Sequence, residues 1–308
     1  MKSPIRWAGS KKQSVRRLKR YWTGGRYIEP FAGSACLFFE LEPNEAVLGD
    51  LNWELTEALS ALQADVEQVL AFLQSFRTGE KAYYAIRERD PRNLDRHELA
   101  ARFLYLNRYC FNGLYRTNLQ GQFNVPYGPP RSGLGVDEQL VRDAAQLLKR
   151  ATILHGDFES TVSHAREGDL VYLDPPYVVS RRRIFREYLP ASFSETDLSR
   201  LQSLLFQLDN RRISFVITYA DSAEARKLLN PWLPRRIRSR RNIAGFASDR
   251  RVSYELLATN CKAVTFEQDL CCQCRLTRYS RRVDRQKSRE PSSCLSSAGT
   301  RNLAGVDK

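Results

Sequence analysis

A chain of 308 residues with 42% hydrophobic content can bury the core of one large α/β domain plus a smaller insertion. No run of eighteen apolar residues exists, which excludes a membrane span. The basic opening MKSPIRWAGSKKQSVRRLKR lacks the apolar stretch of a secretion signal, so a cytoplasmic protein is expected. The formal net charge of +14 persists in sign when residues 261–308 are set aside, and a body this basic points to a polyanionic partner.

In chain order, RYIEPFAG (26–33) reads as a short strand running into a glycine turn, followed by an apolar helix, ACLFFELE. EAVLGD (45–50) reads as a second strand that ends on an acid. Leu55, Leu59, Leu62, Val66, Val69 and Leu73 recur near helical spacing and predict one long helix over 53–76. Residues 77–135 change texture. They are rich in Arg, Asn, Tyr, Gly and Pro, with one predicted helix, HELAARFLYLNRY. DEQLVRDAAQLLKR then reads as a helix opening on the N-cap Asp137. ATILHGD reads as a strand, ESTVSHA as a short helix and DLVYLDPPY as a strand. SETDLSRLQSLLFQLD reads as a helix whose Ser194 and Asp197 form a capping box with Asp in place of Glu. RRISFVITYA is a further strand, and PRRIRSR with RRVSYELLATN closes the sheet as a hairpin.

This alternation implies a doubly wound α/β sheet with helices on both faces. The expected organisation is a first catalytic part over 1–76, an inserted domain over 77–135, a second catalytic part over 136–261 and a basic, disordered tail over 262–308. Of seven cysteines, Cys261, Cys271, Cys272 and Cys274 crowd near the end. CCQC holds one C-x-x-C spacing without a second pair, and His97, His155 and His164 lie far upstream. No metal is expected.

In an open parallel sheet, ligands sit beyond the carboxyl ends of the strands. Four predicted strand tips carry chemistry: Glu29-Pro30-Phe31-Ala32-Gly33, Asp50, Asp157-Phe158 and Asp174-Pro175-Pro176-Tyr177. Any one of these acids alone reads equally as a helix cap. Together they outline a nucleoside-shaped pocket. Gly33 and Ser34 let a ligand approach the backbone, Asp50 suits ribose hydroxyls, and Asp157 suits an adenine amino group with Phe158 packed on the ring. No G-x-x-x-x-G-K-[ST] or G-x-G-x-x-G occurs, so ATP hydrolysis and standard dinucleotide binding lose support.

Asp174 offers a carboxylate, and Pro175 offers a carbonyl with no N–H. Two acceptors can hold the two N–H bonds of one adenine amine, aim its lone pair and stabilise the charge that develops on nitrogen. Tyr177 offers a face on which a swung-out base can stack. The bland alternative is a Pro-Pro turn with a capping acid.

The chain resembles the Dam-type, D12 class (α-group) N6-adenine DNA methyltransferases over nearly all of 4–260. IRWAGSKK, EPFAGSACLFF, GDLN, HGDF and DPPY are similar to that family's motifs, and NRYCFNGLYRTNLQGQFNVPYG (107–128) to its target-recognition segment. The resemblance implies a Rossmann-like, S-adenosyl-L-methionine-dependent methyltransferase sheet with an inserted, mainly helical recognition domain. It implies that Trp7, Lys11, Phe31, Gly33, Asp50, Asp157, Phe158 and Asp174 bind the donor, and that Asp174, Pro175 and Tyr177 act on the base. Toward DNA it implies a wedge from Phe111, a phosphate contact from Asn112, and base-edge contacts from Leu114, Arg116 and Pro126. Arg6 replaces a common Lys and could reach a guanine. SRRNIAGFASDRR (239–251) is similar to a DNA-contacting loop. Ser10 and Ala35 depart from the pattern, standing where glycines are common.

The implied activity is methyl transfer to a flipped adenine in double-stranded DNA at a GATC-like site. A monomeric, bacterial or phage-encoded enzyme without a metal is expected, with a cognate restriction endonuclease as a candidate partner. Two other readings stay open: a decayed methylase kept for DNA binding, and an RNA or protein amino-methyltransferase.

Overall fold

Seven strands form: β1 (Tyr27–Glu29), β2 (Ala46–Asp50), β3 (Ala151–His155), β4 (Leu170–Leu173), β5 (Ser214–Ala220), β6 (Arg235–Arg240) and β7 (Val252–Thr259), of which β1, β2, β4 and β5 are short apolar runs buried on both sides. The computed structural model describes residues 1–12, 14–128, 135–177, 193–240 and 252–263, all within one unit, Met1–Val264. The strands form one sheet in the order β3-β2-β1-β4-β5-β7-β6. The first five are parallel, with Tyr27 opposite both Ala46 and Leu170. β7 runs antiparallel between β5 and β6, as the expected closing hairpin. Strand order reverses direction at β1 and β4, and their carboxyl tips are Glu29-Pro30-Phe31 and Asp174. That crevice is where a parallel sheet presents a ligand site.

The helices are α1 (Val15–Leu18), α2 (Cys36–Leu41), α3 (Trp53–Ala64), α4 (Val66–Ser75), α5 (Glu80–Arg87), α6 (Arg96–Tyr109), α7 (Glu138–Leu148), α8 (Phe158–Val162), α9 (Glu195–Asn210) and α10 (Ala223–Leu229). Strand alternation divides them. Tyr27, Leu48, Tyr172, Val216 and Leu257 face a core shared with α1 to α7. Ile28, Val47, Val171, Leu173, Phe215 and Ile217 face a core shared with α8, α9 and α10. Helices therefore cover both faces, as an α/β sheet of this kind requires.

The single helix expected over 53–76 is two. Asp65 adopts an extended backbone (φ −153°, ψ 91°), ends α3, and caps α4 by accepting from the Gln68 amide at 3.1 Å. The apolar period continues across the break because both helices pack on α6. Helices α1, α5 and α10 were not expected from periodicity; each has at most eight residues, too few for a clear period. The Asp137 cap and the Ser194–Asp197 capping box form as expected.

Residues 77–128 hold α5, α6 and a loop stapled by the Cys110–Tyr127 and Thr117–Phe123 bridges. Their apolar side chains join the same core as α3 and α4. Through that core runs a buried ion pair. Arg102 of α6 is 2% exposed and donates to Glu54 Oε2 of α3 (2.9 Å), to the Ile86 carbonyl (3.2 Å) and to the Arg87 carbonyl (2.8 Å). Tyr115 Oη donates to the other Glu54 oxygen at 2.9 Å. None of the described helices is long and apolar enough to cross a membrane.

Candidate active site and nucleic-acid interface

Asp174 follows β4 directly and shares the face of Tyr172, the side covered by α1 to α7. Its Oδ1 accepts from Thr218 Oγ1 of β5 at 3.0 Å, and Thr218 Oγ1 in turn lies 3.0 Å from Tyr172 Oη. Lys11 reaches it from the N-terminal segment. Its Nζ is 2.7 Å from Asp174 Oδ1 and 2.8 Å from Oδ2, and it also donates to the Gly9 carbonyl (3.1 Å) and Tyr177 Oη (3.2 Å). Tyr177 Oη donates to Glu255 Oε1 of β7 at 3.3 Å. Burial alone would depress the Lys11 ammonium, but Asp174 first, then Tyr177 and Glu255, outweigh it and hold the pKa above its ordinary value. Lys11 therefore stays charged although only 6% of it is exposed.

The donor-side residues gather around the tips of β1 and β2. The Gly33 amide donates to Asp50 Oδ2 at 2.8 Å, and the Asn52 amide to Oδ1 at 2.9 Å. Burial pushes the Asp50 carboxyl up while these amides pull it back. Gly33 (φ +47°) lies under the Trp7 indole: a β-carbon there would sit 2.8 Å from the ring, so no larger residue fits. Trp7 stacks on Tyr115 with ring centroids 5.6 Å apart. Phe31 stacks on Phe158 at 5.4 Å, with Phe193 edge-on at 6.2 Å.

Asp157 caps α8 through the Glu159 amide (3.0 Å) and pairs with Arg200 of α9 at 2.6 Å; the Arg200 guanidinium also covers the Phe158 ring at 4.7 Å. The residues at Ser10 and Ala35 find local roles. Ser34 Oγ donates to Ser10 Oγ at 3.3 Å. Ala35 adopts a left-handed backbone (φ +46°), which costs an L-residue roughly 1–2 kcal/mol and explains why glycine suits this position.

Glu29 ends β1 only 3% exposed, with Oε2 lacking a hydrogen-bond partner. Burial raises its pKa well above the carboxylate range, and Asp174 and Asp50 add to the push. The native state then holds a proton that the unfolded chain releases near pH ~4.3, so stability falls as pH climbs above that value toward the folded pKa. Glu29→Gln keeps the neutral shape. It is expected to be more stable than the parent at pH 8, with the gap closing toward pH 4. Urea midpoints at pH 4, 6 and 8 check this, and parallel curves would refute the buried proton.

The residues assigned toward DNA meet on one loop beside the N-terminal segment. Asn107 clips the Arg6 backbone at both ends, accepting from its amide (2.8 Å) and donating to its carbonyl (2.6 Å). Arg6 Nη1 donates to the Arg108 carbonyl at 2.9 Å. Gly113 (φ +64°) lies against the Arg6 side chain, where a β-carbon would come within 2.7 Å. Phe111 is 42% exposed, its amide bonded to the carbonyl of the exposed Pro126 at 2.9 Å. Asn112 tolerates a left-handed backbone (φ +55°). Arg116 Nε donates to Asn124 Oδ1 at 2.7 Å, which fixes the guanidinium plane. Leu114, by contrast, is 9% exposed and belongs to the core. Of SRRNIAGFASDRR, residues 241–251 lie outside the described residues, as do Cys271, Cys272, Cys274 and the tail from 264.

Sequence reasoning missed Glu255, Thr218, Arg200 and Tyr115. Glu255 carried a usable signal, an acid inside the apolar strand VSYELLAT. The other three look like ordinary strand, helix or loop residues. Among the described residues, no group of three His, Cys, Asp or Glu side chains could hold a metal ion.

The family model of the D12 class N6 adenine-specific DNA methyltransferases matches residues 7–240. Over 267 residues the chain is 34% identical to the type II methyltransferase M1.LlaDCHI of Lactococcus lactis subsp. cremoris, covering 83% of this chain and 94% of that protein. It is 31% identical over 238 residues to the type II methyltransferase M.MjaIII of Methanocaldococcus jannaschii, covering 70% and 82%. It is 29% identical over 266 residues to the retron Ec67 DNA adenine methylase of Escherichia coli, covering 84% and 92%.

Proposed function

Because the chain belongs to the D12 class N6 adenine-specific DNA methyltransferases, we propose that its β4 corner methylates an adenine swung out of duplex DNA, at a GATC-like site. The enzyme is a DNA adenine-N6 methyltransferase, and its family uses S-adenosylmethionine as methyl donor. The residues at the tips of β1 and β2 fit such a donor: Asp50 can accept from ribose hydroxyls, and Trp7, packed on Gly33, and Phe31, backed by Phe158, offer flat apolar walls. When bound, the donor supplies an electrophilic methyl on a positively charged sulfur. In this reading Lys11 and Asp157 complete the donor side.

Asp174 and the Pro175 carbonyl accept the two amine hydrogens and hold the lone pair on line, and Tyr177 stacks on the base. The carrying observation is the placement of Asp174 at the reversal of strand order, half-buried and ion-paired, one side chain from Tyr177. Phe111 enters the duplex where the base leaves, Asn112 holds phosphate, and Arg6, Leu114, Arg116 and Pro126 read base edges. Leu114 must first emerge from the core. The protein acts as a monomer, with a cognate restriction endonuclease as a candidate partner.

Incubating labelled donor with duplex DNA, RNA and protein tests the reading, followed by sequencing for methylated adenine. Label in duplex adenine at one motif is expected; label confined to RNA or protein would overturn it. Arg116→Ala should relax discrimination at one guanine by ~1–3 kcal/mol, because a preset guanidinium pairs bidentately with guanine. Equal preference at every base before and after would remove that contact. Tyr177→Ala should lose the ~1–3 kcal/mol of base stacking, whereas Tyr177→Phe keeps the ring and most of the rate. Single-turnover rates of the two variants separate ring from hydroxyl, and a Phe variant as slow as Ala would contradict the stacking role.

A further inference from the structure

Glu255 is a buried acid in the middle of β7, 7% exposed, opposite Ala220 and Ile237. Its Oε1 accepts from Tyr177 Oη and lies 3.7 Å from Lys11 Nζ, while Oε2 is buried and has no hydrogen-bond partner among the described residues. A carboxylate kept half-satisfied inside a core is costly, so a missing partner is implied.

The same cluster contains a conflict. Both Asp174 oxygens are held by Lys11, and Oδ1 by Thr218 as well. An Asp174 so engaged has little to offer an amine. Two carboxylates and one ammonium also leave the cluster with one excess negative charge, suited to receive one positive charge. A cation arriving beside Asp174 repels Lys11 from it, and Glu255 is the other carboxylate within reach. Closing 3.7 Å to the roughly 2.8 Å of a charge-assisted bond is a small side-chain movement.

Resting on the functional reading above, we propose that Glu255 is a positioning residue that takes over the Lys11 ammonium when donor and substrate occupy the site. The transfer frees the Asp174 carboxylate for the adenine amine. Lys11 keeps its proton throughout, and no bond is made or broken. Tyr177, bonded to both Lys11 and Glu255, stays in register as the ammonium moves.

Three measurements on the full chain test this. First, Glu255→Gln should slow single-turnover methyl transfer on the order of tenfold or more, with donor and duplex Kd values within a few-fold of the parent. Second, in a Lys11→Gln background the Glu255→Gln substitution should add less than about twofold, because the group it receives is gone. Third, a crystal structure of the parent with duplex DNA and a non-transferable donor analogue that carries a cationic amine in place of the sulfonium should show Lys11 Nζ bonded to Glu255 and released from at least one Asp174 oxygen. That structure does not depend on the variants folding. A Glu255→Gln rate equal to the parent's, an undiminished effect without Lys11, or Lys11 still bidentate on Asp174 beside a flipped base would each overturn the inference. If the parent itself transfers nothing to duplex DNA, the functional reading fails and takes this with it; an active parent matched by its Gln variant sinks this inference alone.

Discussion

Asp174→Asn is expected to cut the single-turnover rate of methyl transfer by about a thousandfold or more while duplex binding stays within a few-fold. The substitution keeps the shape and removes one negative charge. Positioned electrostatic groups of this kind contribute roughly two to three orders of magnitude each, and here the same group also sets the geometry of the nucleophile. The change also leaves the Lys11 ammonium, 6% exposed, with Glu255 at 3.7 Å as its nearest remaining carboxylate. An ammonium without its main counter-charge is penalised by burial, so the pKa of Lys11 should fall as well. DNA affinity comes mostly from phosphate contacts spread over a basic surface, which Asp174 does not touch. Rapid-quench transfer assays and a duplex titration measure the two quantities separately. A rate within tenfold of the parent would remove Asp174 from the chemistry.

Arg102→Met should destabilise the fold by about 3–5 kcal/mol, the ordinary cost of removing one partner from a buried ion pair. The loss has named parts. Glu54, 3% exposed, keeps only the Tyr115 hydroxyl at 2.9 Å, and the Arg87 carbonyl loses the Arg102 donor, while the Ile86 carbonyl keeps the Arg89 amide. Burial already raises the Glu54 pKa against the pull of Arg102, so without Arg102 this carboxyl is driven further toward its neutral form. The urea midpoint measures the destabilisation, and a change below 1 kcal/mol would show that Arg102 is not the tie it resembles. The consequence reaches the donor side, because Tyr115 stacks on Trp7 and Trp7 covers Gly33. Donor affinity should weaken in Arg102→Met even at temperatures where the protein stays folded.

The link from Arg102 through Tyr115 to Trp7 also shows how residues far apart in sequence serve one site. Arg6 and Trp7 belong to the N-terminal segment, yet one lies against Gly113 and the other against Tyr115. Helix α6 and the loop after it thus touch the segment that also delivers Lys11 to Asp174. A change on the loop proposed to meet DNA has a short, packed route to Asp174.

What the residue string determined by itself were features carried by local chemistry. Short apolar runs marked the strands, the Asp137 and Ser194 caps marked helix starts, and acids at strand tips marked the crevice where strand order reverses. The corner at Asp174 was legible because two prolines cannot extend a ladder. Tertiary structure alone decided the rest. Asp65 divides a continuous apolar period because its backbone turns out while both flanking helices still find α6. Leu114 is withdrawn into the core and Arg200 occupies Asp157, neither of which any spacing announces. Lys11, the Asp174–Tyr177 corner and Glu255 come from three separate stretches of chain. Periodicity and capping act within a few residues, whereas which charges meet in a core depends on strand order and register, and those are settled only when the whole sheet assembles.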